Sequence, residues 1–194
     1  MDQSSSGPCR WLQRGRRTIA NTRVLNVDLV RYHHPVRDTE REFVVVNAPS
    51  WVNVVPLTPA GELVLVRQFR YGTDSFSLEI PGGVVEPGED PLVAAARELR
   101  EETGCTGGAP QLLGVTRPNP AIQSNHCIFV LIPDVHATGD ADWDPDEEIE
   151  VLRLPVDEVY RRARAGEIDH ALVLNALFLF EPVWKAAAAA RRPV

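Results

Sequence analysis

Lysine is nearly missing from this chain. Of 20 basic residues only Lys185 is a lysine and the rest are arginines, a bias that carries no functional message by itself. Cysteine is scarce too: Cys9, Cys105 and Cys127 show neither a disulfide framework nor zinc-ligand spacing. No long apolar run is present. Met1 to Arg17 has no apolar core, so no secretory signal is expected there, and Leu172–Phe180 is too short to span a bilayer and is interrupted by Asn175. A cytoplasmic protein with no membrane partner is the expectation. The five histidines are scattered, and His33, His34 and His126 have no metal or triad partner at a readable spacing, so structural or solvated roles are expected. Net positive charge is also lacking. A balance of −7 argues against a nucleic-acid surface and means that an anionic substrate would need cations to bridge it. No internal repeat appears. What remains is ordinary for a soluble globular protein: 44% hydrophobic and 24% charged residues in 194, enough for one principal domain with a sizeable core.

The informative stretch is Gly83 to Cys105. Asp90 followed by Pro91 is a strong helix start, an N-cap acceptor and then a proline where its missing N–H costs nothing. Ala94 to Arg100 are good helix formers, and Gly104 is a C-terminal stop, so a helix is predicted over 91–103 with Leu92, Val93, Ala96 and Leu99 as its apolar side. Glu98, Glu101 and Glu102 then share one face. Like charges at that spacing repel by about 0.2–0.5 kcal/mol per exposed pair. Such a face is either simply solvated or suited to a hard divalent cation, Mg²⁺ or Mn²⁺. Arg97, four residues before Glu101, can pair with it and orient it.

Gly83, Glu89, Arg97, Glu98, Glu101, Glu102 and Gly104 fall on the spacing G-x5-E-x7-R-E-U-x-E-E-x-G-U, with Leu99 and Cys105 at the apolar U positions. At roughly one residue in 20 per fixed position, chance gives this on the order of once in a billion start points. The segment resembles the Nudix box, and the chain is identified as a member of the Nudix hydrolases. The resemblance implies an α+β fold, an α/β/α sandwich around a mixed sheet. It also implies Mg²⁺- or Mn²⁺-assisted cleavage of a diphosphate. Carried over, Glu98 and Glu102 are the main metal ligands, Glu101 an additional or indirect one, and the Gly82 carbonyl joins them. Glu89 binds metal through water or orients the loop, while Gly83, Arg97 and Gly104 are structural. Cys105 stands where the family more often has Ile, Leu or Val, a neutral departure.

Features outside the box are similar to the ADP-ribose and nucleoside-diphosphate-sugar branch: Arg67-Gln-Phe-Arg70-Tyr71, Ser77-Leu-Glu79-Ile-Pro-Gly82, Pro120 fifteen residues after Cys105, and Gly166-Glu-Ile-Asp-His170. Arg67, Arg70, Glu79 and Pro120 are therefore candidate substrate contacts, Arg70 first because a forked guanidinium suits phosphate oxygens. In this branch the general base often comes from a late loop, which points to the acidic run 140–148 and to Glu147, then Glu148. Other readings remain: a hydrolase of oxidised nucleoside triphosphates or dinucleoside polyphosphates, or a module that binds nucleotide sugars without hydrolysis.

The expected organisation is a flexible tail over 1–16, an N-terminal β arm over 17–48, a hydrolase domain over 49–185 and a tail over 186–194. In the resembling branch such an arm crosses to a second subunit, which implies a homodimer. Strands are expected at 21–32, 42–47, 51–57, 62–70, 76–80, 111–117, 126–132 and 149–154. Helices are expected at about 156–165 and 169–181, with Pro182 ending the last.

Overall fold

The computed structural model describes residues 7–143 and 148–190. The chain divides into two compact units, Met1–Pro49 with Asn119–Asn125, and Ser50–Pro118 with His126–Val194.

The first unit is a three-stranded antiparallel sheet of β1 (Leu12–Asn21), β2 (Asn26–His34) and β3 (Thr39–Asn47), with β2 in the middle. Two strands were expected here and three are found. Thr22 to Leu25 turn between β1 and β2, with the Thr22 hydroxyl donating to the Leu25 carbonyl. Residues 12–16, expected in the tail, begin β1. Their arginines read as a solvated tail because β1 is held mainly by polar contacts. Asp28, buried on β2, accepts from Thr18 at 2.8 Å and from the Asn47 amide at 2.8 Å, and it pairs with Arg16 at 3.4 Å. Residues 119–125 join this unit because Val46 N–H donates to Ile122 O, Ser124 N–H to Val46 O and the Asn125 amide to Pro49 O.

In the second unit, a mixed four-stranded sheet runs in the order β7 (Gly82–Val84), β4 (Trp51–Pro56), β10 (Cys127–Ile132), β9 (Gln111–Thr116), with β4 and β10 parallel. An antiparallel sheet runs β12 (Ile149–Pro155), β5 (Glu62–Arg70), β6 (Ser75–Glu79). The short strands β8 (Cys105–Thr106) and β11 (His136–Ala137) pair beside them. The helices are α1 (Pro91–Thr103), α2 (Val156–Arg164) and α3 (Ala171–Ala190).

Side chains alternate faces along a strand, and here the alternation sorts two cores. Val52, Val54, Val64, Ile128, Val130 and Ile132 pack with Ala94, Ala95 and Leu99 of α1. Val55, Leu63, Leu65, Phe129 and Leu131 pack with α2 and α3 through Val159, Ala176, Leu177 and Phe180. The strands are therefore apolar on both faces, and the layers are α/β/α as expected.

The box helix has the predicted limits. Asp90 accepts from Leu92 N–H at 2.8 Å, Pro91 opens the helix, and Gly104 closes it at φ 64°, donating to Arg100 O. The last helix does not stop at Pro182 but continues to Ala190. Proline removes the bond to the carbonyl of Phe178, which lies on the exposed side where water can replace it. Trp184, beyond the proline, packs against Phe180 in the core and keeps the helix in register. Among the described residues no helix is long and apolar enough to cross a membrane.

Candidate active site

A cavity of about 800 Å³ opens in the second unit between α1, the β7 glycines, the ends of β4, β5 and β6, and the start of α3. Its lining brings together Gly82, Gly83, Arg97, Glu98, Glu101, Glu102, Arg70 and Glu79, residues drawn from three separate motifs.

Arg97 organises one wall. Its Nε donates to Glu89 at 3.0 Å, one terminal nitrogen to Glu98 at 2.8 Å and Glu101 at 2.9 Å, and the other to the Val84 carbonyl at 3.0 Å and Glu89 at 3.1 Å. The hydrogen bonds with Glu89, the strongest influence, keep the guanidinium protonated far above any working pH. In return Arg97, then the Glu86 N–H, hold the Glu89 carboxyl below the ordinary carboxylate range. Glu89 thus belongs to the loop-and-helix clasp and does not line the cavity. Glu102, 4% exposed, accepts from Gly82 N–H at 3.1 Å, which ties the helix to the glycine strand.

The glycines are required by close approach. A Cβ on Gly83 would run into the Glu98 carboxylate, and one on Gly82 into the Val52 carbonyl. Gly82 pairs with Asn53 across the β4–β7 ladder, so the loop is drawn to the floor of the cavity.

The opposite wall carries Arg70 and Glu79. The guanidinium forks onto the carboxylate with two bonds of 2.7 Å, and His170 Nε2 lies 3.7 Å from Glu79 Oε2. Burial pushes the Glu79 carboxyl up. Arg70, with help from His170 and Ser77, outweighs it, and the group ends below its usual range.

Other expected contacts lie elsewhere. Arg67 pairs with Glu150 at 3.0 Å and covers the Phe76 ring at 4.5 Å; it alternates with Gln68 and Arg70, which do line the cavity. Pro120 belongs to the 119–125 segment of the first unit. Glu148 is exposed just before β12 and does not line the cavity, and Glu147 lies outside the described residues.

Sequence reasoning passed over Asn53, and it noted His170 and the run holding Asp142 and Trp143 without giving those three residues a role at the site. Asp142 N–H donates to Glu101 O and the Trp143 indole to Glu102 O at 2.9 Å, so the acidic run begins anchored on the end of α1. The signal for Asn53 was legible as a lone polar residue inside Trp51-Val-Asn53-Val-Val55. His170 ends the Gly166–His170 stretch already noted, but its partner Glu79 is remote in sequence, so its place at the site could not be read.

Among the described residues no three carboxylate, imidazole or thiolate groups are arranged to hold an ion as they stand, because Arg97 sits among Glu89, Glu98 and Glu101. The donor set itself is all oxygen, the chemistry a hard divalent cation selects.

The chain matches the NUDIX domain model over residues 48–176. It is 31% identical to CMP-5'-(N-acetyl-N-hydroxy-3-aminopropyl)phosphonate hydrolase of Streptomyces rubellomurinus, over 81% of this chain and 75% of that protein. It is 28% identical to an ADP-ribose pyrophosphatase of Bacillus subtilis, over 69% and 72% respectively. A crystal structure of an ADP compounds hydrolase superposes with a TM-score of 0.83 at 24% identity, covering 94% of this chain and 98% of the other.

Proposed function

The chain belongs to the Nudix family of hydrolases, and from that premise we propose that it cleaves the pyrophosphate bond of ADP-ribose or a related nucleoside diphosphate sugar with the help of Mg²⁺ or Mn²⁺, releasing a nucleoside monophosphate and a sugar phosphate. The observation that carries this reading is the single cavity joining the box carboxylates to the Arg70–Glu79 pair. One wall is suited to a cation-bridged diphosphate and the other to the group beyond it. The activity for which the Bacillus protein is named favours the same substrate class.

Glu98, Glu102 and, with them, Glu101 and the Gly82 carbonyl would hold the metal. When bound, it neutralises the diphosphate oxygens and lowers the pKa of a coordinated water. The protein's own contribution is placement. The Gly82 N–H fixes the Glu102 carboxylate, Arg97 gathers Glu98 and Glu101 on the cavity side of α1, and Gly83 leaves space for Glu98. The base that takes the water proton is assigned to the late acidic loop, Glu147 before Glu148. We also assign the three-stranded unit, with Ile19, Phe43 and Val44 exposed, to contact with a second copy of the chain.

A substrate panel with product analysis tests the reading. ADP-ribose with Mg²⁺ should give AMP and ribose phosphate and stop on chelation. Strong turnover of nucleoside triphosphates or dinucleoside polyphosphates with none of ADP-ribose would replace it, and tight binding without turnover would make the protein a binding module. Light scattering should report a dimer. Glu147→Gln should lower kcat with metal binding retained, and full activity of that variant would move the base elsewhere.

A further inference from the structure

Trp143 lines the active-site cavity at 42% exposure and belongs to neither hydrophobic core. Core packing therefore does not explain its place. What the side chain does is donate: its indole N–H reaches the Glu102 carbonyl at 2.9 Å. That carbonyl is among the four at a helix end that have no partner within the helix. In α1 the Arg100 carbonyl is taken by the Gly104 N–H at 2.8 Å. The next two are taken by a segment 41 residues further on. Asp142 N–H donates to Glu101 O at 2.8 Å, and the Trp143 indole to Glu102 O. Just beyond, the Thr138 and Gly139 N–H groups both donate to the Gly104 carbonyl, at 2.9 and 3.2 Å, and a Cβ on Gly104 would run into the Gly139 carbonyl. The last turn of α1 is thus clamped from outside, and it is the turn that carries Glu101 and Glu102.

We propose that Trp143 is a positioning residue for the metal site: its indole N–H keeps the last turn of α1 wound, so that the Glu101 and Glu102 carboxylates are presented together to a divalent cation. The proposal rests on the hydrolase reading above, in which those carboxylates bind the ion. Helix ends fray where their open carbonyls are left unsatisfied. A carboxylate on a frayed turn has to be ordered by the ion itself, and that ordering is subtracted from affinity. Glu102 is guarded against this from both sides. Gly82 N–H fixes its carboxylate and the indole fixes its carbonyl, which leaves the residue 4% exposed. An indole suits the task because it only donates and has just two side-chain torsions to order. The donor belongs to a side chain, whereas the neighbouring clamp bonds from Asp142, Thr138 and Gly139 use backbone N–H groups that survive most substitutions. The contribution of residue 143 can therefore be removed without altering any ligand to the ion.

Mn²⁺ binding without substrate, followed by the electron paramagnetic resonance of the free ion, tests this. Trp143→Phe keeps a ring and removes the donor, and Trp143→Ala removes both. Each should raise the Kd for Mn²⁺ by about three- to tenfold, the range of one lost hydrogen bond, and the two variants should agree within about twofold. The Mg²⁺ concentration that half-saturates ADP-ribose turnover should rise in parallel. At saturating Mg²⁺, KM for ADP-ribose and kcat should return to within about twofold of wild type, because the ion then supplies the order. Residue 143 lies outside both cores, so both variants should fold, which a circular-dichroism melt checks. Unchanged Mn²⁺ affinity in both variants overturns the assignment and leaves the hydrolase reading standing. A loss confined to Trp143→Ala overturns it too, since the ring and not the donor would then be at work. So does a raised KM at saturating Mg²⁺, which would put the indole on the substrate. A wild type that binds no Mn²⁺ and hydrolyses ADP-ribose undiminished in chelator sinks the metal reading and the role of Trp143 together.

Discussion

Arg70 and Glu79 meet through two parallel hydrogen bonds of 2.7 Å, the arginine half-exposed at the end of β5 and the glutamate 3% exposed at the end of β6. The pair lets a carboxylate remain ionised on the wall of the cavity. Removing the arginine would leave it with only the weaker support of His170 and Ser77.

Arg70→Met should therefore cost about 1–3 kcal/mol at neutral pH. The sign of its pH dependence is set by Glu79. Its folded pKa lies below the unfolded value near 4.5, so in the wild type the pair's contribution is complete above that value and is lost as pH falls through the folded pKa. The gap between wild type and variant in urea unfolding should accordingly be largest near pH 7 and narrow below about pH 4.5. A gap that stays constant with pH would remove Glu79 from the explanation.

Glu102→Gln retains an oxygen that can accept from Gly82 N–H, so the fold and Tm should hold. It loses the charge, and kcat on ADP-ribose should fall on the order of 10²-fold or more. Steady-state kinetics beside a circular-dichroism melt separates the two effects. Near-normal kcat would take Glu102 out of the metal site.

Adjacent glycines should answer differently to the same added methyl. Gly82→Ala drives a Cβ into the Val52 backbone carbonyl, which cannot yield without moving β4, so Tm should drop. For Gly83→Ala the nearest atoms are the carboxylate end of Glu98, which can swing away at the cost of its bond to Arg97. Its Tm should change little while kcat falls about tenfold or more. Matching losses in both variants would show that Glu98 placement is not what Gly83 protects.

Arg97→Gln removes the cation shared by Glu89, Glu98 and Glu101. Metal-free, it should be less stable than wild type by about 1–3 kcal/mol. Because a divalent cation can then relieve the same repulsion, Mg²⁺ should raise the Tm of the variant by more than it raises that of the wild type. Differential scanning fluorimetry with and without EDTA reads this directly, and an equal or smaller rise in the variant argues against a shared site.

The box helix was legible to the residue because its determinants are local. An N-cap aspartate, a proline at the first position, alanines in the middle and a left-handed glycine at the end all act within a few residues. The carboxylate face of Glu98, Glu101 and Glu102 follows from helix geometry alone. That the sheets are covered on both faces was expected only through the resemblance of the box to its family, because the order of strands does not by itself fix a topology. Arg70 and Glu79 were readable as candidates, but their pairing depends on the β5–β6 register, and Asn53 gained its meaning only when β7 laid Gly82 beside it. β1 escaped notice because polar contacts to Asp28 hold it, where an apolar stripe would have marked it. The helix beyond Pro182 survives through the contact of Trp184 with Phe180. Local sequence decides where backbone hydrogen bonds can be closed among near neighbours. Which distant side chains share one buried volume is decided by packing, because burial and mutual satisfaction of polar groups are properties of the assembled layers.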